Sequence, residues 1–325
     1  MGRLNILVEE ITMNQVLFNN SANPAWSGIR TVDASNACEA LAQAGMDWEV
    51  KSEKIFLDNG MEIKSSRAIV RQSDRSVLGV VGKKYAPIQN TESLSFFDDV
   101  ATQFEDFQYI SAGSINNGKR VWLLADFGGF DAQHGDEVRK QILLYNSHDG
   151  TSAMSYVFVP MRVFCNNQIA SIMKGDKFMK IRHSQSAHQR IEAAKQVAGH
   201  ALENYTSIEA VYKRMARMEL TNSMVTSTLE LMYPLEGVEG RSLTRRENTR
   251  QEILRLLDEG MGIHERPKNA LSLFNAFSEY YTHHTQTNGE NARERRWNNN
   301  VFGKGAKAMA QVTEHIVHSP YSSMY

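Results

Sequence analysis

The sequence contains very little cysteine. Cys38 and Cys165 are its only two cysteines among 325 residues, and they lie far apart in the chain. That spacing does not resemble a disulfide framework or a cysteine-based zinc site. A single long-range disulfide remains an alternative, but a chain without secretory features favours a reducing compartment.

Long apolar runs are also missing. No stretch reaches the roughly 20 apolar residues of a membrane span. The first residues contain acidic Glu9 and Glu10 rather than a sustained apolar segment, so they do not resemble a signal peptide. We therefore expect a cytoplasmic protein that makes no contact with membranes.

Sequence motifs of common enzymes are absent as well. The chain has no Gly-x-x-x-x-Gly-Lys-Ser/Thr, Gly-x-Gly-x-x-Gly, His-Glu-x-x-His or Gly-x-Ser-x-Gly. The pairs His148-Asp149 and His283-His284 lack further ligands at metal spacing. Cys165 would need an activating base to act as a nucleophile, and nothing places His183 beside it. We expect a non-enzymatic protein with no catalytic residues, metal or cofactor.

The overall charge is nearly balanced. Lys and Arg number 36 against 37 Asp and Glu, which gives a formal net charge of −1. This balance excludes a globally basic, histone-like protein. A nucleic-acid surface would have to be a local basic patch.

The hydrophobic patterns predict an α+β fold in three parts. Residues 1–30 form an N-terminal arm, residues 31–185 an α+β core with an antiparallel sheet and packed helices, and residues 186–325 a helical segment with a mobile loop near 286–300. Turn residues predict hairpins around 72–75 and around 116–118.

Individual elements follow from the same patterns. A first helix should begin after a cap at Asp33 or Ser35 and stop at Gly45. Further strands are expected at 141–147 and 154–164. The predicted helices are 90–103, 191–205, 208–217, 222–232, 246–257, 270–284 and 305–318.

A first candidate binding stretch lies between Gly79 and Asn90. Lys83 and Lys84 can neutralise phosphates, Tyr85 can stack on a base, and the helix that follows favours anions at its N-terminus. The alternative is an ordinary strand-to-helix connection, with solvated lysines and a core tyrosine.

A second candidate stretch runs from Lys174 to Arg190. It combines the cations Lys174, Lys177, Lys180 and Arg182 with the rings of Phe178 and His183. Charges with interleaved rings suit a groove that follows a nucleic-acid strand. The alternative is a linker with ordinary surface charge.

Two further segments are weaker candidates. Arg162, Asn166 and Asn167 end a predicted strand and could contact bases or the sugar-phosphate backbone, although paired amides more often cap turns. A stretch with Arg293, Arg295, Arg296 and Trp297, followed by Lys304 and Lys307, could order on nucleic acid, but a mobile, solvent-exposed loop is the favoured interpretation.

Several short strings resemble a phage and plasmid protein family known as domain of unknown function 932. They include Gly45–Val50, Val80–Tyr85, Arg162–Asn167, Ile181–Ser184 and Leu273–Tyr280. This resemblance implies a phage or mobile-element setting, with the host bacterial cytoplasm as the location, and implies no mechanism. By architecture alone, the core also resembles single-strand annealing proteins of the Redβ/Erf kind, which form rings that hold a DNA strand in a basic groove.

These observations together predict a phage- or mobile-element-type protein that holds single-stranded DNA and promotes strand annealing in recombination. A homo-oligomer, either a ring or a filament, is expected. The alternative is a host-takeover or anti-defence protein that binds a bacterial protein through the helical segment and the loop near 286–300.

Overall fold

Two antiparallel sheets and a set of helices make up the computed structural model of this chain. It describes residues 29–30, 34–102, 104–133, 135–162, 167–168, 178–187, 189, 191, 200–261, 267–285, 295–296, 299–300 and 303–318. The predicted α+β class is confirmed. Most of the N-terminal arm and of the loop near 286–300 lies outside the described residues.

The larger sheet has the strand order β1-β5-β6-β7-β8-β11, with β9 paired to β7 and to β10. The smaller sheet has the order β2-β3-β4. The strands are β1 Ile29–Arg30, β2 Val50–Phe56, β3 Glu62–Arg71, β4 Val77–Gly82, β5 Phe107–Ile115, β6 Arg120–Asp131, β7 Glu137–Ser147, β8 Met154–Phe158, β9 Met161–Arg162, β10 Asn167–Gln168 and β11 Phe178–Ile181.

Both predicted hairpins are confirmed. Strands β5 and β6 pair from Phe107↔Phe127 to Ile115↔Arg120, and the turn between them has positive φ at Asn116, Asn117 and Gly118. Asparagine and glycine tolerate that backbone conformation better than other residues. The predicted strand 154–164 is interrupted instead, because β8 ends at Phe158 and Pro160, which has no N–H to donate, precedes β9.

The helical predictions are mostly confirmed. The described helices are α1 Ala37–Gln43, α2 Asn90–Ala101, α3 His200–Arg217, α4 Asn222–Met232, α5 Gly240–Glu259, α6 Ala270–Glu279, a π-helical turn Tyr280–His284, and α7 Lys304–Val317. Two expectations were wrong. Asn36 caps α1 by accepting from the Glu39 N–H at 2.9 Å, and α3 runs through the predicted break at 206–207.

One hydrophobic core joins the larger sheet to the helices on both sides of residue 186. Leu123 and Leu144 on the sheet belong to it together with Phe274 of α6 and Met309 of α7. The Tyr205 hydroxyl of α3 accepts the Gln141 N–H at 2.8 Å and donates to the Gln141 carbonyl at 2.5 Å. The helical segment is therefore packed directly against the larger sheet.

The smaller sheet docks on the loop between β7 and β8. A Cβ added to Gly79 would lie only 2.6 Å from the Cα of Asp149, so glycine permits this close approach. The ring of Trp48 meets the ring of His148 edge-on, with centroids 5.3 Å apart. His148 is buried and its Nε2 lies 2.8 Å from Asn90 Oδ1.

This docking buries His148 and His183 and makes the fold sensitive to acid. Burial lowers the pKa of His148 to about 3 and that of His183 to about 4. An unfolded histidine titrates near pH 6.5. Between about pH 6.5 and pH 4 the unfolded chain therefore binds protons that the folded chain does not, and the free energy of unfolding falls as the pH falls.

We predict that the double substitution His148→Gln/His183→Gln makes the free energy of unfolding less dependent on pH over this window. Each histidine contributes a slope of at most about 1.4 kcal/mol per pH unit. Urea denaturation between pH 4.5 and pH 7.5 measures this slope. His318→Gln, an exposed position at the end of α7, should keep the wild-type slope. Equal slopes in all three proteins would contradict the prediction.

Candidate nucleic-acid interface

The two basic stretches predicted from the sequence lie side by side. The Ala86 N–H donates to the His183 carbonyl at 3.3 Å. The rings of Tyr85 and His183 stack, with centroids 4.6 Å apart and an interplanar angle of 12°. Segments separated by almost a hundred residues in sequence are therefore in direct contact.

Four of the predicted cations lie on or next to this contact, and all four are exposed: Lys83, Lys84, Lys180 and Arg182. Lys83 and Lys84 follow the last residue of β4, while Lys180 lies in β11 and Arg182 directly follows it. The main chain at these positions is held in place by the end of β4 and by β11, which lies at the edge of the larger sheet. The long side chains remain in solvent, where phosphates can reach them.

Lys64 is a fifth cation of this surface, and the sequence reasoning missed it. The Lys83 N–H donates to the Ser65 carbonyl at 3.1 Å, which continues the β3–β4 pairing beyond Ser66↔Gly82 and brings Lys64 next to Lys84. Lys64 is exposed. The signal was available in the predicted hairpin, because extending its register outward from the turn sets Lys64 opposite Lys83, and the bulge between Ile69 and Val70 moves it opposite Lys84. We call Lys64, Lys83, Lys84, Lys180 and Arg182 the lysine cluster.

The smaller sheet has a local excess of positive charge. Residues 50–84 contain eight Lys or Arg and four Asp or Glu, a net of +4 in a chain of net charge −1. Three of the four acids form ion pairs within the sheet: Glu53 with Arg75 at 2.7 Å, Glu62 with Lys54 at 3.2 Å, and Asp74 with Arg71 at 2.6 Å.

These ion pairs leave three cations of the cluster uncompensated: Lys64, Lys83 and Lys84. The Arg75 guanidinium holds the pKa of Glu53 below its usual range by donating hydrogen bonds to it. Among the described residues, Lys64, Lys83 and Lys84 have no carboxylate within ion-pair distance. An anionic ligand would therefore meet exposed ammonium groups without having to displace a carboxylate from them.

Tyr85 belongs to the joint between the sheets. Its hydroxyl donates to the Ser147 carbonyl at 2.6 Å, and its ring packs in the small core formed by Val50, Ile69, Leu78 and Val81. Burial raises the pKa of Tyr85 above its ordinary value. His183, its stacking partner, is also buried. Both rings are thus engaged inside the protein, which agrees with the alternative interpretation of Tyr85 as a core residue.

Arg162 is also internal. It is only 4% exposed, and its Nε donates to Asp136 at 2.7 Å while Nη1 donates to the Met261 carbonyl at 3.3 Å. In this position Arg162 holds β9 against the residues that follow α5. The guanidinium was expected to contact a nucleic acid, but it is already paired with the Asp136 carboxylate.

The structure describes only some of the remaining predicted positions. Asn167 opens β10 and pairs with Arg162, and Phe178 opens β11 opposite Val157. Asn166, Lys174 and Lys177 lie outside the described residues, as does Cys165, whereas Cys38 is an exposed free thiol. The structure brings together Lys83, Lys84, Lys180 and Arg182, and Arg162 is held in its own buried ion pair.

Two other kinds of site are not found in the described part of the chain. No three side chains of His, Cys, Asp or Glu converge there as metal ligands. Among the helices described, none has the length and apolar character needed to cross a bilayer.

The fold and site define the class of protein: an α+β chain with an exposed lysine cluster at the junction of two sheets. A family model described as Domain of unknown function (DUF932) matches residues 77–302. That range covers more than half of the chain, so the protein belongs to this family. Comparisons with curated proteins and with solved structures found no match. The resemblance to single-strand annealing proteins stays a prediction.

The role of Tyr85 can be tested by removing its hydroxyl. We predict that Tyr85→Phe lowers the free energy of unfolding by about 1–3 kcal/mol, because the Ser147 carbonyl loses its donor in a largely buried place. Urea denaturation measures this loss. Binding of an oligonucleotide to the folded variant should be unchanged, since the ring remains in the joint. A variant with wild-type stability and weaker binding would show instead that the tyrosine contacts the ligand.

Proposed function

We propose that this protein binds single-stranded DNA through the lysine cluster. The observation that supports the proposal best is the contact of Tyr85 and Ala86 with His183, since it brings two basic stretches next to each other. A cluster of this kind is the local basic patch that a chain of net charge −1 requires for binding a polyanion.

The mechanism follows from the chemistry of lysine and phosphate. Each lysine that neutralises a phosphate releases a condensed counterion, so binding weakens linearly with the logarithm of the salt concentration. The five cations of the cluster could contact up to about five phosphates, which for a single strand corresponds to a slope of roughly −3.5. The charge supplies affinity and does not read sequence.

The position of the cluster favours a single strand over a duplex. Proteins that read duplex DNA commonly insert a helix or a β-ribbon into the major groove. Here the cations lie at the ends and edges of strands and on connecting segments. Such a surface can follow one flexible backbone, and contacts limited to phosphates leave the base edges free to pair. Because the base edges stay free, we extend the proposal to strand annealing by a homo-oligomer.

We predict that Lys83→Gln/Lys84→Gln weakens binding of a single-stranded oligonucleotide roughly tenfold at low salt and reduces the salt slope by about 1.4. Fluorescence anisotropy with a labelled oligonucleotide, titrated at several salt concentrations beside a duplex of equal length, measures both quantities. Wild type should bind the single strand more tightly than the duplex.

Arg241→Gln/Arg245→Gln is the matched control. It removes two positive charges from exposed positions of α5, far from the cluster in sequence. Its affinity and salt slope should equal those of the wild type. Equal weakening by both variants would point to a general charge effect and not to the cluster. If the wild type binds neither oligonucleotide at low salt, the proposal is wrong, and the protein-binding alternative becomes the hypothesis to test.

A further inference from the structure

Strand β4 leaves one edge of the smaller sheet open. Among the described strands only β3 pairs with β4, and the side chains of Val77 and Val80 are 56% and 63% exposed. None of the six residues from Val77 to Gly82 carries a charge. An exposed edge strand without charges offers its unpaired N–H and C=O groups to a further strand.

The other edge strands in the described part of the chain are protected against such pairing. β2 contains two lysines and a glutamate, and β11 contains Lys180, whereas β1 and β10 are only two residues long. The start of β2 is also capped, because the Gln89 side chain accepts the Val50 N–H and donates to the Val50 carbonyl, both at 2.9 Å. Charge and shortness discourage the addition of a strand. β4 has neither protection.

The hydrogen bonds of β4 show which of its backbone groups point outward. The Lys83 N–H donates to the Ser65 carbonyl at 3.1 Å, so Lys83 and every second residue before it direct their N–H and C=O groups to β3. Alternate residues of an antiparallel ladder point the other way, which leaves the groups of Val80 and Gly82 directed away from β3. The Gly82 carbonyl accepts the Tyr85 N–H at 2.9 Å. Within the described residues, no backbone group pairs with the outward N–H and C=O of Val80.

We propose that β4 pairs antiparallel with β4 of a second copy of this chain, with the two Val80 residues opposite each other. In this register each Val80 exchanges both of its hydrogen bonds with its counterpart, as the residues of a hydrogen-bonded pair do. Lys83 lies opposite Val77 of the other copy, so the lysines do not meet across the interface. An uncharged strand is thus complementary to itself, and a two-fold axis lets the same patch serve both copies.

Self-pairing extends the surface for DNA, a consequence that rests on the proposed function. The two three-stranded sheets become one six-stranded sheet, and antiparallel strands are related by a two-fold axis perpendicular to their sheet. The equivalent lysines of both copies therefore lie on the same side, at opposite ends of the paired strands and roughly 20 Å apart. A DNA strand that reaches both lysine clusters is held twice, and the second contact benefits from a high effective concentration.

Sedimentation velocity of the protein without DNA, over a dilution series, tests the pairing. One pair of short strands buries less than the roughly 800 Å² per partner of a stable interface, so the wild type should shift from monomer to dimer as the concentration rises. Val80→Lys should raise the dissociation constant at least about tenfold, because two ammonium groups would face each other. Val80→Thr keeps a neutral β-branched side chain and should dimerise as the wild type does.

Leu254→Lys is the matched control, because it adds the same charge at an exposed leucine of α5. Its dissociation constant should equal that of the wild type. A wild type that stays monomeric at every concentration would overturn the proposal, and so would equal dimerisation of Val80→Lys and the wild type. A monomer whose Val80 amide is protected from hydrogen exchange would show that a segment of the same chain covers β4.

Cross-linking tests the register in a Cys38→Ser/Cys165→Ser background. A short bismaleimide should join two copies of Val80→Cys and should not join two copies of Leu254→Cys. Equal yields from both variants, or no product from Val80→Cys at concentrations where the protein is dimeric, would contradict the pairing of β4 with itself.

The consequence for DNA fails separately. The cross-linked Val80→Cys dimer should bind an oligonucleotide that reaches both clusters at least about tenfold more tightly than the same variant without cross-linker does. A short oligonucleotide should bind both forms equally. A dimer that binds no DNA would overturn the proposed function and leave the interface standing. DNA binding by a protein that never dimerises would overturn the interface and leave the lysine cluster standing.

Discussion

The Tyr85 ring lies flat against the His183 ring, and the neighbouring Ala86 N–H donates to the His183 carbonyl. The tyrosine hydroxyl is anchored in turn on the Ser147 carbonyl of the larger sheet. This joint fixes the smaller sheet on the larger one and sets the end of β4 beside β11. The surface that we propose for DNA exists only because this contact brings two distant segments together. Burial of the rings and the exposure of the lysines are consequences of the same packing.

The charge distribution follows a similar logic. A protein with nearly equal numbers of acids and bases can bind a polyanion only where the two are separated in space. In the smaller sheet, Glu53, Glu62 and Asp74 are each held by an arginine or lysine of the same sheet. The lysines at its open end then remain uncompensated. Exposed ion pairs add little to stability, so the main consequence of these three is that they compensate negative charge near the surface that we propose for DNA.

Much of the fold could be predicted from local signals. The Asn-Asn-Gly turn specified the β5–β6 hairpin, and helical periodicity located α4 and α7 to within a residue or two. Pro160 is the local feature that explains why one predicted strand became two. These successes share a cause, since turns, caps and periodicity depend on residues close together in sequence.

The candidate site was only partly predictable, because its geometry depends on contacts between distant residues. Lys83 and Arg182 were identified by composition, but their proximity depends on the joint. Lys64 was missed because it is a single lysine in a strand. Tyr85 and Arg162 were assigned to ligand contacts because a ring and a guanidinium suit nucleic acid. Their actual partners, His183 and Asp136, lie 98 and 26 positions away, and sequence spacing alone does not reveal such pairs.

The most direct test of the central claim is to map where a single strand touches the protein. Photocrosslinking of the full chain to an oligonucleotide containing bromodeoxyuridine, followed by mass spectrometry of the linked peptides, gives this map. The account predicts crosslinks within residues 54–64, 80–84 and 180–182. Crosslinks confined to the helices after residue 200 would contradict it, as would an oligonucleotide that binds without labelling any of these three segments.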